Sequence, residues 1–445
     1  MLRPSITSSR SLPAMQHRSA RRCTRLLLAC TGLALLAACQ EPVRLMPTPV
    51  TFQYAEADPF EAAGYKAQGT EVPVFYVTNR GAIIETPQPV HTALPSEQLR
   101  MGVAHVRIGD EDLDWETLHR LSTTREPGER PIVDLDRLEQ RAKLGAKDSF
   151  ATSPDVRAFF AQINQALAAS PKSDLVIYVH GTRNSVPRAA AQAAQFRHFT
   201  GRQVVVLSFM WPSAGSILRY LTDIYNAEAS VEQFARLVEL LAEHTTASKI
   251  DIVAYSAGAQ VTSPALTLLG PPRPGETKEQ QRQRLRLGQI YYAAPDLDTR
   301  RFVDELGTYI DLADRVTIAA NLNDSALRAS ALINRASRAG RPNPTELSPE
   351  QTAFLADASQ KFRFDLVKVD PNDIPDLPFS SHAFWYEDPW VSSDLLGLLL
   401  LNVEPRRRGL DEQALSGGQF RYWTFPPDFY ERITRLFGPS ATPRP

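Results

Sequence analysis

The chain has 445 residues, with 49 basic and 50 acidic side chains and a 43% apolar composition. That length holds one large α/β domain or two modest ones. With residues 1–39 set aside, 43 basic side chains face 50 acidic ones, a balance that argues against a nucleic-acid binder.

The first 39 residues read as a targeting segment. Arg18, Arg21, Arg22 and Arg25 precede an apolar run from Leu26 to Leu36, and Leu36-Ala-Ala-Cys39 matches the lipobox of bacterial lipoproteins. The run is too short to span a bilayer comfortably, which disfavours an uncleaved anchor. Cys39 is therefore the expected lipidation site. Gln40, rather than an aspartate, follows it, so an outer-membrane position facing the periplasm is expected. The other two cysteines, Cys23 and Cys30, leave with the leader, so no disulfide is expected in the folded part. Met15 would give a leader of more ordinary length.

Residues 40–70, with Pro42, Pro47 and Pro49, read as a tether. The principal domain is expected over 71–404, with insertions near 110–150 and 325–360 and a C-terminal extension at 405–445. Val72 to Val77 and Met101 to Gly109 predict strands, and 110–170 reads as charged, then helical. Asp174-Leu-Val-Ile-Tyr-Val-His180 and Gln203 to Phe209 are uninterrupted apolar runs, as a central parallel strand covered on both faces requires. Helices are predicted over Pro187–Phe199 and Ser216–Glu243, and a proline-rich loop over Pro271–Arg286. Strands return at Ile250–Tyr255, Gln289–Ala294, Arg315–Ala320 and Phe364–Val369. Strands alternating with helices imply an α/β fold, a mostly parallel central sheet with helices on both faces. Residues 325–360 are a candidate lid, and Trp423 to Phe437 a candidate last helix.

Ala254-Tyr-Ser256-Ala-Gly258 follows a β-prone run and opens a helix-like one. Small residues two before and two after a serine let strand and helix pass closely around it, the layout of a nucleophile elbow. A serine hydroxyl needs a base, and the base needs an orienting acid. His382 is the only histidine after Ser256. Asp324, just beyond the strand ending at Ala320, is the preferred acid. Asp296, after the preceding strand, is the alternative, and either could instead cap a helix. For a developing oxyanion, the N–H groups of Ala257 and Thr182 are the candidate donors. His180 reads as structural, and Trp211-Pro-Ser213 as a cleft-lining or packing loop. No close His/Asp/Glu cluster points to a metal, and no organic cofactor is implied.

In order along 72–400 stand Phe75-Tyr-Val-Thr-Asn-Arg80, Val179-His-Gly181, Ser208-Phe-Met-Trp-Pro-Ser213, the elbow, Ala294-Pro-Asp296, Asn323-Asp324 and Ser381-His382. In this set the chain resembles the α/β-hydrolases, and specifically a bacterial subgroup catalogued as a domain of unknown function. The resemblance implies the α/β-hydrolase fold and serine-hydrolase machinery, without a substrate. The chain departs from the pattern in having Ala254 at the first elbow position and in its long loops around 110–150 and 335–360.

The expected activity is cleavage of an ester, thioester or amide through an acyl-enzyme. Its expected partners are a small acyl substrate and the membrane reached through Cys39. The competing reading is a catalytically silent envelope lipoprotein that binds or scaffolds. Oligomeric state has no signature in the sequence.

Overall fold

Short, wholly buried and largely apolar runs build the centre of one sheet: β4 (Leu175–Val179), β5 (Val205–Phe209), β6 (Ile250–Tyr255) and β7 (Leu287–Ala293). The computed structural model describes residues 41–53, 58–63, 69–84, 88–125, 128–215, 219–361, 363–415 and 420–437. Around that centre lie β1 (Val74–Ile84), β2 (Val90–Ile108), β3 (Val133–Leu144), β8 (Ala313–Ala320), β9 (Phe364–Lys368), β10 (Asp411–Leu415) and β11 (Phe420–Thr424). The order is β10-β11-β9-β8-β7-β6-β4-β5-β1-β2-β3. Pairing is parallel from β11 through to β1, while β1–β2, β2–β3 and β10–β11 are antiparallel. The α/β fold with a mostly parallel sheet is thus the one the alternating elements imply.

The helices are α1 (Trp115–Thr123), α2 (Pro154–Ala169), α3 (Val186–Phe199), α4 (Tyr220–Glu228), α5 (Val231–His244), α6 (Gly258–Leu268) and α7 (Lys278–Leu285). There follow α8 (Thr299–Tyr309), α9 (Ser325–Asn334), α10 (Pro349–Gln360), α11 (Phe384–Glu387), α12 (Pro389–Leu401) and α13 (Phe429–Phe437). Successive strand residues point to opposite faces. Val176, Tyr178, Val253 and Tyr291 therefore join one core, with the apolar residues of α3 and α12. Ile177, Val179, Ile252 and Tyr292 join the other, with those of α2, α5, α6 and α8. Among the described residues no helix is long and apolar enough to cross a membrane.

Several sequence expectations are corrected. The loop expected over Pro271–Arg286 holds a helix, α7, whose start is capped by the Thr277 side chain accepting from Gln280 N–H. The stretch expected as a tether packs on the domain over much of its described length: Val43, Leu45, Met46, Val50, Phe52 and Phe60 are buried in the first core. Leu45 N–H donates to Pro131 O at 2.8 Å, and Met46 N–H to Gln195 Oε1 at 3.1 Å. The prolines guide an extended path and do not keep it off the domain. Residues 133–144, read as part of a charged and then helical insertion, form an edge strand instead. Register shifts against β2, between Met101 and Gly102 and between His105 and Val106, break the period-2 alternation that would have shown it.

The C-terminal extension is integral as well. β10 and β11 extend the sheet, with Trp423 in β11 and only Phe429–Phe437 helical, and Phe429 and Ile433 enter the core. Arg408 anchors the connection by donating from Nε to Asp394 Oδ1 at 2.7 Å, both side chains fully buried. The candidate lid is not one element. α10 packs on α8 and β11, and Gln351 donates to Arg300 O and Asp304 Oδ1. Only the first part, α9 and the loop after it, borders the candidate site. The leader and Cys39 lie outside the described residues.

Candidate active site

β6 ends at Tyr255, and Ser256 turns the chain with a left-handed φ of 53° before Ala257 caps α6. A non-glycine residue in that region costs about 1–2 kcal/mol, so neighbours must hold it. They do: Ser256 N–H donates to Ala293 O at the end of β7 (2.9 Å), and Asp296 N–H donates to Ser256 O (3.0 Å). Gly258 is required by close approach, since a Cβ there would lie 2.5 Å from Val179 O. A Cβ at Gly181 would lie 2.9 Å from the Ser256 Cβ, which fixes how tightly the loop after β4 covers the serine.

The structure brings three of the predicted residues together. His382 Nε2 is 2.9 Å from Ser256 Oγ, and its Nδ1 is 2.5 Å from Asp324 Oδ2. Asp324 is fully buried and His382 retains 20% side-chain exposure, enough to meet a substrate. The histidine loop is held from below, where Asn321 Nδ2 donates to Ser381 O at 2.9 Å. The ring is held from the side, where Tyr255 lies 5.3 Å away, backed by Trp385 and Tyr386.

The alternative acid is not brought to the histidine. Asp296 Oδ1 accepts from Arg338 Nε (2.6 Å) and Ser330 Oγ (2.6 Å), and its Oδ2 accepts from the Tyr220 hydroxyl (2.8 Å). Its carboxylate is consumed in fastening α4, α9 and the 338 loop beside the elbow.

Ala257 follows the serine at the start of α6, and Thr182 follows Gly181 in the loop after β4 that packs on the serine. His180 is fully buried, and burial pushes its imidazole down to about 3, so it stays neutral. Its ring stacks on Trp211 with 5.1 Å between centroids, and the Trp211 indole N–H donates to His180 O at 2.6 Å. Trp211 is wholly buried, so its role is packing; it does not line the cleft.

Sequence reasoning missed the support beneath that loop. Asn184 Nδ2 donates to Gly181 O and Thr182 O, both at 3.1 Å. Arg80 Nη2 donates to Asn184 O at 2.9 Å, and Ser213 Oγ accepts from Asn184 N–H at 3.1 Å. Asp223, its carboxyl pushed up by burial, accepts from Ser213 Oγ and from the N–H groups of Ala214 and Arg183. The Thr78-Asn-Arg80 and Trp211-Pro-Ser213 motifs were the available signal. Among the described residues no cluster of three or more His, Cys, Asp and Glu could hold a metal ion.

Residues 132–396 match the family model described as alpha/beta hydrolase of unknown function (DUF900). No curated protein matches the sequence. Among solved structures the chain is similar to a puromycin-hydrolyzing peptidase of Mycobacterium tuberculosis, at 12% identity and a TM-score of 0.24. That alignment covers 80% of this chain and 49% of the other, so the chain spans about half that protein's length. A likeness of that size carries no argument here.

Proposed function

We propose that this chain, which belongs to the alpha/beta hydrolases of unknown function (DUF900), is a serine hydrolase that cleaves acyl esters. The observation that carries the reading is the placement of His382 between Ser256 Oγ and Asp324 Oδ2. With its Nδ1 proton donated to Asp324, the imidazole presents a lone pair at Nε2 to the serine hydroxyl. The hydroxyl attacks the substrate carbonyl while its proton passes to Nε2. Charge gathers on the former carbonyl oxygen, against the N–H groups of Ala257 and Thr182. On collapse, the imidazolium protonates the departing alcohol and leaves an acyl-serine. A water molecule, deprotonated by the same nitrogen, then releases the acid. Thioesters and amides follow the same course, with a poorer leaving group in the amide.

The deciding experiment is labelling of the protein lacking residues 1–39 with a fluorophosphonate probe, beside Ser256→Ala and His382→Ala. Labelling of the parent alone supports an activated serine. A folded parent that stays unlabelled sinks the reading and leaves the silent scaffold in its place.

The lipobox supports a second proposal, that the protein is anchored in the bacterial envelope through a diacylglyceryl group on Cys39. Incorporation of a clickable palmitate analogue into the full-length chain, lost in Cys39→Ala, is the expected result. Equal incorporation in the variant would refute the assignment.

A further inference from the structure

A cavity of about 570 Å³ lies against one face of α9 and the loop that follows it. Arg328, Arg335 and Arg341 line it together with Leu322 and Leu332. Three arginines lining one open concavity make it locally cationic, so it favours compensating negative charge. The protein supplies little. The one carboxylate in the lining, Glu346, is engaged by Ser337 N–H (3.1 Å) and Asn343 Nδ2 (3.2 Å). Arg341 donates from Nε to Leu322 O at 2.8 Å, a neutral partner. Among the described residues none of the three arginines forms an ion pair.

Ordinary structural roles do not account for the set. A cation at the C-terminal end of α9 is favoured by the helix dipole, which could explain Arg335 but neither Arg328, two turns earlier, nor Arg341 in the next loop. Arg335 also holds a left-handed φ of 55°, a position where glycine costs less. Beside the charges, Leu332 is 78% exposed and Leu322 is 45% exposed. The lining is therefore amphiphilic, with cations and open apolar surface in the same cavity.

The lining is continuous in the chain with segments that hold the candidate site. Leu322 stands between Asn321, which holds the histidine loop, and Asp324, the partner of His382. The loop on the opposite wall carries Arg338, whose guanidinium grips Asp296 against the elbow.

We infer that this cavity is a subsite for a phosphate group carried by an amphiphilic acyl ester, held by Arg328, Arg335 and Arg341. Guanidinium forks match phosphate oxygens, and a lining with three arginines and one carboxylate keeps a net positive charge that favours a phosphate anion. Leu322 and Leu332 would cover adjoining hydrocarbon. The inference rests on the hydrolase reading for what happens to the ester, but phosphate binding itself does not.

The test is calorimetric titration of the Ser256→Ala protein with glycerol 3-phosphate and, as the uncharged control, glycerol. One-site binding of glycerol 3-phosphate is expected, weakened at least tenfold in the Arg328→Gln/Arg335→Gln double variant, with none for glycerol. Both arginines are exposed and unpaired, so the variant's melting temperature should match the parent's. A second arm separates the sources, by co-sedimentation with phosphatidylglycerol or phosphatidylcholine vesicles. Capture by the anionic vesicles that the double variant loses assigns a lipid head group. Soluble binding without vesicle capture assigns a free phosphate ester. No binding in either arm, or binding that ignores the double substitution, overturns the subsite. Because Ser256 is absent throughout, phosphate binding with a parent that resists fluorophosphonate labelling would retire the hydrolase reading and keep the subsite.

Discussion

Asp324 meets His382 with one carboxylate oxygen only. Oδ2 lies 2.5 Å from Nδ1, while Oδ1 accepts from Leu327 N–H at 2.9 Å and caps α9. A helix cap and a histidine partner are usually alternative explanations for an aspartate after a strand; here one residue is both. Capping fixes the carboxylate so that its second oxygen can fix the imidazole.

The two roles separate by substitution. Asp324→Asn keeps an oxygen for the cap but removes the anion that selects the Nδ1–H tautomer, so labelling by a fluorophosphonate should slow by about 10⁴-fold. Its melting temperature should fall little. Asp324→Ala loses the cap as well and should cost a further ~1 kcal/mol of stability. Labelling rates read beside urea melts check both. An Asn variant that labels at the parent's rate would remove Asp324 from the site.

Asp296 should behave in the opposite way. It is paired with Arg338, each side chain only 5% exposed, and it also accepts from Ser330 and Tyr220. Asp296→Ala leaves a buried guanidinium without its counter-charge, a loss of about 3–5 kcal/mol. We expect an unfolding midpoint displaced far more than in Asp324→Asn, with labelling retained by whatever fraction remains folded. Parent-like stability in the variant would contradict the pairing.

What the sequence made legible was local. β4 to β7 are short, largely apolar runs buried on both faces, with no alternation to lose, and the elbow and the lone downstream histidine are each a few residues long. The choice between Asp296 and Asp324 was not local, because each follows a strand and each can begin a helix. Only the partners across the fold, Arg338 for one and His382 for the other, distinguish them. The support for the 181–184 loop was hidden for the same reason, since Arg80 and Asn184 are far apart in sequence and meet only when β1 docks on β5. β3 escaped because its register shifts break the alternation. β10 escaped because an edge strand reading Asp411-Glu-Gln-Ala-Leu415 has almost no apolar face to announce it.

Asp251 on β6 gives the fold a pH dependence unrelated to the site. It is 3% exposed, accepts from Gln289 N–H, and burial pushes its carboxyl up to about 7. The folded state therefore holds this proton more tightly than the unfolded chain, whose carboxyl titrates near 3.8. Linkage then requires stability to fall as pH rises between those values, by at most ~1.4 kcal/mol per pH unit from this group. Asp251→Asn keeps the acceptor and has nothing to titrate. Urea midpoints at pH 5 and pH 8 should show the parent losing stability relative to the variant. A difference that does not change with pH would refute the assignment.

The left-handed turn at Ser256 makes a last prediction, with stability and function moving apart. At a φ of 53° any side chain with a Cβ is strained by about 1–2 kcal/mol, and glycine is not. Ser256→Ala and Ser256→Gly both lose the hydroxyl and its bond to His382, so their difference isolates the backbone. In an ordinary helix interior, glycine is the less stable of the two by about 1 kcal/mol. Here the sign should reverse, with Ser256→Gly the more stable by about 1 kcal/mol and both variants unlabelled by the probe. Chemical melts of the two proteins decide it. If alanine is equal to or better than glycine at this position, the elbow is unstrained, and a tight turn holding the nucleophile is not what shapes the Ala254-Tyr-Ser256-Ala-Gly258 segment.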